Sequence, residues 1–293
     1  MTKIGYFPGC SLNGTAKEYD LSLKAIARFA DVELVELNDW NCCGATAAHS
    51  LNSTLAVALP ARNLAIAERM GFDEILVPCA ACYSRLAQAL YEIKSDEKYR
   101  TKIPQLIEME IKGTANPITV LDFINKYVLD KIKDKLTNKL NAKFACYYGC
   151  LLTRPEHLST IERREDPLVM EQIVKLAGGI AIDWAFKVEC CGAGLSVVRT
   201  DIVGKLCAKI VDDASSRGAD AIVVACPMCH SNLDMRRSEI NKNLSTDNKI
   251  PAIYITQLLG LALGIEPNKL GFDKHFVPAD NFIQKLQKQT VEV

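Results

Sequence analysis

Short apolar runs alternate along the chain with longer stretches in which apolar residues recur every three or four positions. Residues 4–7 form the first run; residues 19–30 then carry Leu21, Leu23, Ile26, Phe29 and Ala30 at broadly helical spacing, and residues 33–37 are again strand-like. Pro60 suits the first turn of a helix, and Gly71 suits a left-handed cap before a strand over residues 74–77. The order returns later: a helix over residues 201–217, Gly218 as its cap, and a strand over residues 221–225. Strands alternating with helices in this way predict parallel sheets in an α/β fold. In such folds sites form beyond the carboxyl ends of strands, which is where Cys10, Cys79, Cys150 and Cys226 fall.

The return is an internal repeat. Lys3-Ile-Gly-Tyr-Phe-Pro-Gly-Cys10 answers to Lys143-Phe-Ala-Cys-Tyr-Tyr-Gly-Cys150, and Asn41-Cys-Cys-Gly-Ala45 to Glu189-Cys-Cys-Gly-Ala193. The longest match pairs Gly71-Phe-Asp-Glu-Ile-Leu-Val-Pro-Cys-Ala-Ala-Cys82 with Gly218-Ala-Asp-Ala-Ile-Val-Val-Ala-Cys-Pro-Met-Cys229. Pro117-Ile-Thr-Val-Leu-Asp-Phe-Ile124 is echoed by Pro251-Ala-Ile-Tyr-Ile-Thr-Gln-Leu258. Ordered matches of this kind predict two tandem Rossmann-like halves related by duplication. The expected halves are residues 1–140 and 141–293, the second with a short C-terminal tail, and the charged residues 130–141 are the expected connection. In the tail, Phe282, Ile283 and Leu286 are positioned to pack either on a partner or on this chain.

Charge narrows the function classes. Lysine plus arginine and aspartate plus glutamate both number 35, so nothing points to nucleic acid or to an anionic membrane surface. The amino terminus has no signal-peptide apolar region, and no stretch reaches about eighteen apolar residues. A soluble cytoplasmic protein is expected. Twelve cysteines in such a chain point to metal or redox chemistry rather than structural bridges.

Ten of the twelve form two matching sets. Each set is a lone cysteine, an adjacent Cys-Cys-Gly pair and a Cys-x-x-Cys: Cys10, Cys42, Cys43, Cys79 and Cys82, then Cys150, Cys190, Cys191, Cys226 and Cys229. A structural zinc takes four ligands, usually as two knuckles, and five thiols with a vicinal pair suit it poorly. Adjacent cysteines can instead bind different irons of one cluster, and thiolate sulfur is the usual protein ligand of iron–sulfur centres. A single Cys-x-x-Cys alone would also suit a thioredoxin-type thiol pair or a zinc knuckle. The glycines beside these cysteines let backbone amides come close to sulfur. Cys207, inside the helix over 201–217, reads as a small core residue, and Cys146 answers to Tyr6 in the repeat, against a ligand role. Tyr147 and Tyr148 read as packing, and the four histidines show no spacing that suggests a further metal site.

The arrangement resembles the cysteine-rich CCG-domain family, and two such domains with nothing else resemble that family's B-type subunits of heterodisulfide reductase. The resemblance covers about residues 1–265. It implies a non-cubane [4Fe-4S] cluster in each five-cysteine set, two clusters facing one active site, and reduction of the coenzyme M–coenzyme B disulfide with one electron from each. Related CCG proteins serve other oxidations but many carry cubane-cluster cysteine runs in the same chain; no such run occurs here. The resemblance therefore implies partners: a small ferredoxin-like iron–sulfur subunit, itself fed by a flavin-containing subunit. A disulfide with anionic ends calls for arginine or lysine near the cluster loops. Arg154 and, less directly, Arg199 are so placed, while His230, next to Cys229, is a candidate proton relay to a departing thiolate. The alternatives are an electron-transfer subunit of another anaerobic oxidoreductase, with a different disulfide or no direct substrate, and a zinc protein.

Overall fold

The computed structural model describes residues 1–45 and 48–291. Glu292 and Val293, at the end of the tail singled out above, lie outside them. The first half runs β1 (Thr2–Tyr6), α1 (Gly9–Asn13), α2 (Lys17–Phe29), β2 (Val32–Glu36), α3 (Ala48–Leu51), α4 (Ser53–Arg69), β3 (Glu74–Leu76), α5 (Ala80–Ser95), α6 (Glu97–Ile107) and β4 (Asn116–Ile118). A helical stretch follows, α7 (Val120–Phe123), one π-helical turn (Ile124–Val128) and α8 (Leu129–Ile132). The second half runs β5 (Lys143–Tyr147), α9 (Val169–Leu176), β6 (Ile180–Ala181), α10 (Thr200–Ser216), β7 (Ala221–Val224), α11 (Pro227–Asp234), α12 (Arg237–Leu244), β8 (Ala252–Tyr254), α13 (Ile255–Ala262) and α14 (Asp280–Val291).

Each half builds one four-stranded sheet, in the orders β2-β1-β3-β4 and β6-β5-β7-β8, and every pairing is parallel. The duplication thus extends from cysteine spacing to sheet topology. Parallel strands are covered on both faces and read as continuous apolar runs; Ala221, Ile222, Val223 and Val224 are all fully buried. Gly71 and Gly218 close α4 and α10 in the left-handed region, at φ +79° and +73°, with their N–H groups donating to Glu68 and Ser215 carbonyls.

Three local expectations change. Pro60 lies in the middle of α4, because Asn52 caps that helix earlier by accepting the Leu55 N–H at 3.0 Å. The carbonyl of Leu59, beside the proline, is taken by the side chain of Asn41 at 3.0 Å. On α2 the buried stripe is Tyr19, Leu23, Ile26, Ala27 and Ala30, and Leu21 and Phe29 fall off it at about 40% exposure. Residues 130–141 are more than a connection: they continue as helix to Lys135, bury Ile132 and Leu140, and tie to the second half through Asn138 N–H to Ala262 O at 3.0 Å and Leu140 N–H to Ala177 O at 3.0 Å.

The halves share a core. α2 packs along α13, where Tyr19 stacks on Tyr254 at 4.0 Å between ring centroids and the hydroxyls of Ser22 and Thr256 meet at 2.7 Å. One apolar cluster accordingly includes Tyr6, Leu23 and Phe123 from the first half with Tyr147, Val223 and Leu258 from the second. The tail packs on this chain: Phe282 and Leu286 are buried, and Phe282 meets Phe144 edge to face at 5.9 Å.

Candidate functional site

The three cysteine elements of each half arrive at the same end of its sheet. Cys10 lies in α1, just beyond β1, and Cys150 just beyond β5; Cys79 and Cys226 are the N-cap residues of α5 and α11, which follow β3 and β7. Helix N-termini present unpaired N–H groups and a partial positive charge, which favours thiolate over thiol. The vicinal pairs sit on the loops before α4 and α10 and are pinned by different means. In the first half Asn63, fully buried, grips Asn41 through its N–H and its carbonyl at 3.0 and 2.9 Å. In the second, Asn232 donates to the Cys191 carbonyl at 3.1 Å, Cys207 donates to the same oxygen at 3.4 Å, and Tyr147 donates to the Glu189 carbonyl at 2.7 Å. Cys207 and Tyr147 thus support the site from the core without joining the sets. Cys146 is fully buried and its partner strands hold it away from solvent.

Thiols from distant segments meet in corresponding pairs. Cys43 and Cys82 lie 3.1 Å apart, Cys191 and Cys229 3.6 Å, and Cys150 and Cys190 3.9 Å, sulfur to sulfur. In each half the second cysteine of the pair and both of the Cys-x-x-Cys are buried, while Cys10, Cys42 and Cys190 are exposed and Cys150 is half-buried. The two sets touch where the halves meet: the thiols of Cys79 and Cys226 hydrogen-bond to each other, and the Ala80 N–H of the first half donates to Cys226 of the second. The Tyr19 hydroxyl sits at the same seam, 3.2 Å from the Ala225 carbonyl and 3.5 Å from that of Pro78, the residues preceding these two cysteines.

Proton sharing makes the thiols unequal. Hydrogen bonds from Cys42 and Cys82, with a smaller contribution from the Arg85 charge, pull Cys43 down to about 3. A hydrogen bond from Cys150, aided by the Gly192 and Ala193 N–H groups, lowers Cys190 to about 6. Cys226 is lowered by its bonds from Cys229 and Cys79, and those donors, like Cys42, Cys82 and Cys150, are correspondingly raised. The protein therefore offers preformed thiolate, the form that binds soft metals.

Whether these residues suit a cluster is tested by the backbone around them. Gly9 and Gly149 have φ of +62° and +67°, and a Cβ at either would stand 3.2 Å from Cys82 sulfur and 2.8 Å from Cys229 sulfur. The backbone before Cys10 and Cys150 therefore folds directly onto the Cys-x-x-Cys thiols. Gly44 and Gly192 point their N–H groups at Cys42 and Cys190 sulfur, at 3.5 and 3.3 Å. Five soft donors on three converging segments, with amides aimed at sulfur, suit an iron–sulfur group. Among the described residues no three His, Cys, Asp or Glu side chains close on a single metal ion. Gly149→Ala is expected to cost about 1–3 kcal/mol from the left-handed backbone and to displace Cys229 as well. Gly9→Ala, with 0.4 Å more room, should disturb its half less. Denaturant unfolding and iron content of the two variants check this, and an equal or larger loss in Gly9→Ala would refute the ranking.

Arg154 is exposed and held by Glu165 at 2.8 and 3.1 Å, and Arg199 is exposed and held by Asp201 at 2.9 and 2.8 Å. His230 is buried: its Nε2 lies 3.0 Å from the Ala252 carbonyl, its ring stacks on Tyr254 at 4.3 Å, and burial lowers it to about 3. It is a neutral core histidine at neutral pH. Sequence reading passed over Arg85, three residues beyond Cys82, whose repeat counterpart is Asn232, three beyond Cys229. Aligning the two halves at those positions would have drawn it out.

A family model described as a cysteine-rich domain, CCG, matches residues 4–87 and again residues 144–234. Over 98% of its length the chain is 32% identical to the B-type subunit of the ferredoxin/F(420)H(2)-dependent CoB-CoM heterodisulfide reductase of Methanosarcina acetivorans, of which it covers 97%. Over 94% of its length it is 30% identical to the 8-methylmenaquinol:fumarate reductase membrane anchor subunit of Wolinella succinogenes, covering 98% of that protein. Among solved structures, a hypothetical protein from Helicobacter pylori matches with a TM-score of 0.75 at 13% identity over 94% of this chain; this chain spans about half of that one, 52%, and the likeness is one of fold.

Proposed function

Since the chain belongs to the CCG cysteine-rich-domain family, we propose that it is the iron–sulfur subunit of a heterodisulfide reductase complex, cleaving the coenzyme M–coenzyme B disulfide into two thiols. Residues 1–140 contribute Cys10, Cys42, Cys43, Cys79 and Cys82 as ligands of one [4Fe-4S] cluster, and residues 141–293 contribute Cys150, Cys190, Cys191, Cys226 and Cys229 as ligands of another, both non-cubane. When bound, the two clusters supply one electron each, which matches the two a disulfide requires. The observation that carries this reading is the duplication itself: two five-thiol sets, equivalent in topology, joined at the Cys79–Cys226 contact.

The chain's own residues do the rest. The exposed thiols of Cys10, Cys42 and Cys190 mark the open side, from which a disulfide approaches, while the buried thiols are shielded from water. Arg154, beside Cys150, meets an anionic end of the substrate by exchanging its exposed pair with Glu165, an exchange that costs little because such pairs are worth about 0–1 kcal/mol. His230, the other candidate from the sequence, packs on Tyr254 and lies 3.8 Å from Glu18. Electrons come, in the cytoplasm, from a ferredoxin-like iron–sulfur partner that is fed in turn by a flavin-containing one. No helix of the described residues is long and apolar enough to cross a membrane.

Anaerobic analysis is expected to find about eight irons and eight labile sulfides per chain; zinc without sulfide would sink the reading. Coenzyme M thiol should then raise a new electron paramagnetic resonance signal in the oxidised protein, and the reconstituted complex should turn over the disulfide. The Wolinella relative favours a second reading, an electron-transfer subunit of another anaerobic oxidoreductase. Iron without a thiol-dependent signal or disulfide turnover would decide for it.

A further inference from the structure

The two cysteine sets are alike in sulfur and unlike in charge. Three residues after the last cysteine of each Cys-x-x-Cys, one helical turn on, the first half has Arg85 and the second Asn232. The second half shows where that position points: the Asn232 amide lies 3.1 Å from the Cys191 carbonyl and 3.5 Å from Cys191 sulfur, and its oxygen accepts from Ser196 at 2.8 Å. With the same strand order, the same N-cap cysteine and the same Cys43–Cys82 approach in the first half, Arg85 holds the helix position that answers to Asn232, on the face of α5 that carries Cys82.

Other arginines near the two sets are occupied. Arg62 pairs with Asp39, Arg154 with Glu165, Arg199 with Asp201, and Arg236 and Arg237 bond backbone carbonyls. Arg85 is half-buried and, among the described residues, has neither a carboxylate nor a hydrogen-bond acceptor as partner.

We propose that Arg85 makes the first-half cluster the more easily reduced of the two, by setting an unpaired positive charge against Cys43 where the second half sets the neutral amide of Asn232 against Cys191. This rests on the reading of each set as a cluster site. Reduction adds one electron to a site, drawn from an external one-electron donor of the ferredoxin class, and neither forms nor breaks a bond in the protein. The added negative charge is stabilised by a nearby cation, so the potential rises. The Asn232 amide also favours reduction through its hydrogen bond to sulfur, but a dipole's field falls off faster than that of a full charge. The electron entering first therefore rests in the first half. Arg85 is a positioning residue for charge, acting through Cys43.

The test is an anaerobic redox titration with dithionite and mediators, followed by electron paramagnetic resonance. The iron-loaded wild type should show two one-electron steps. In Arg85→Gln the higher step moves down, so that at its original midpoint the reduced-to-oxidised ratio falls about tenfold, ~59 mV for one electron, while the lower step stays. Arg85→Lys should largely restore the wild-type steps, and Asn232→Arg should move the lower step up and narrow the gap. Steps that stay in place in Arg85→Gln, or a shift confined to the lower one, would overturn the proposal. Should Arg85→Gln fail to load iron, Asn232→Arg decides alone, an unmoved lower step counting against it. A wild type without iron and sulfide removes the cluster reading and this inference with it; loaded iron with unmoved steps removes only the inference.

Discussion

Replacing either Cys42 or Cys190 by alanine is expected to lower disulfide turnover by about a hundredfold or more and to remove about half of the bound iron. The two residues are equivalent: each opens a vicinal pair, each is exposed, and each takes an N–H from the glycine two positions on. Because the side chains reach solvent, the fold should survive, so a loss of activity can be read as loss of a ligand. The two variants are informative only together. If both clusters act on one sulfur–sulfur bond, one electron apiece, a chain with a single intact set cannot complete the reduction, and the two variants fail alike. Turnover near wild type in either one shows that half to be structural and leaves the other as the site. Iron analysis alongside the assay separates a lost ligand from a lost chain.

The equivalence was legible in the sequence because it rests on local pattern. Apolar strands such as residues 221–224, glycine caps at Gly71 and Gly218, and cysteines just past strand ends all follow from short-range preferences that repeat with the duplication. What did not show was the partner of each apolar face. The spacing on α2 says that it buries a stripe; it does not say that α13, more than 200 residues later, covers it through Tyr254 and Thr256. Position next to cluster-loop cysteines also suggested a role for Arg154 and His230. The structure gives Arg154 a carboxylate partner at the surface and turns His230 toward the Ala252 carbonyl, since residue i+1 on a helix faces away from residue i. Arg85, at i+3 from Cys82, shares that cysteine's face of α5, a relation that helical spacing shows and adjacency in sequence does not.

The shared core has a titratable group at its centre, and a stability difference follows from it. Glu18, on α2, is 4% exposed, receives a hydrogen bond from the Tyr254 hydroxyl at 3.3 Å and faces the neutral His230 ring with Nδ1 at 3.8 Å. Burial raises it to about 7, a backbone hydrogen bond at its own position and the Tyr254 hydroxyl offsetting only part of this. The folded chain thus holds a proton on Glu18 that the unfolded chain releases above about pH 4.5. Below that value both states are protonated and the group is neutral in its effect on folding. Between about 4.5 and 7 the unfolded state binds fewer protons than the folded one, so stability falls as pH rises, and the penalty is complete above 7. The difference between 4.5 and about 7 corresponds to about 3 kcal/mol. Glu18→Gln keeps an oxygen to accept from Tyr254 and cannot ionise. It should therefore match the wild type at about pH 4 and exceed it by up to about 3 kcal/mol at about pH 8, measured by denaturant unfolding of the metal-free chain, in which cluster loss cannot mask the difference. A gap that is constant across that range, or that opens toward low pH, would show that Glu18 is held as a carboxylate by charges at the α2–α13 seam.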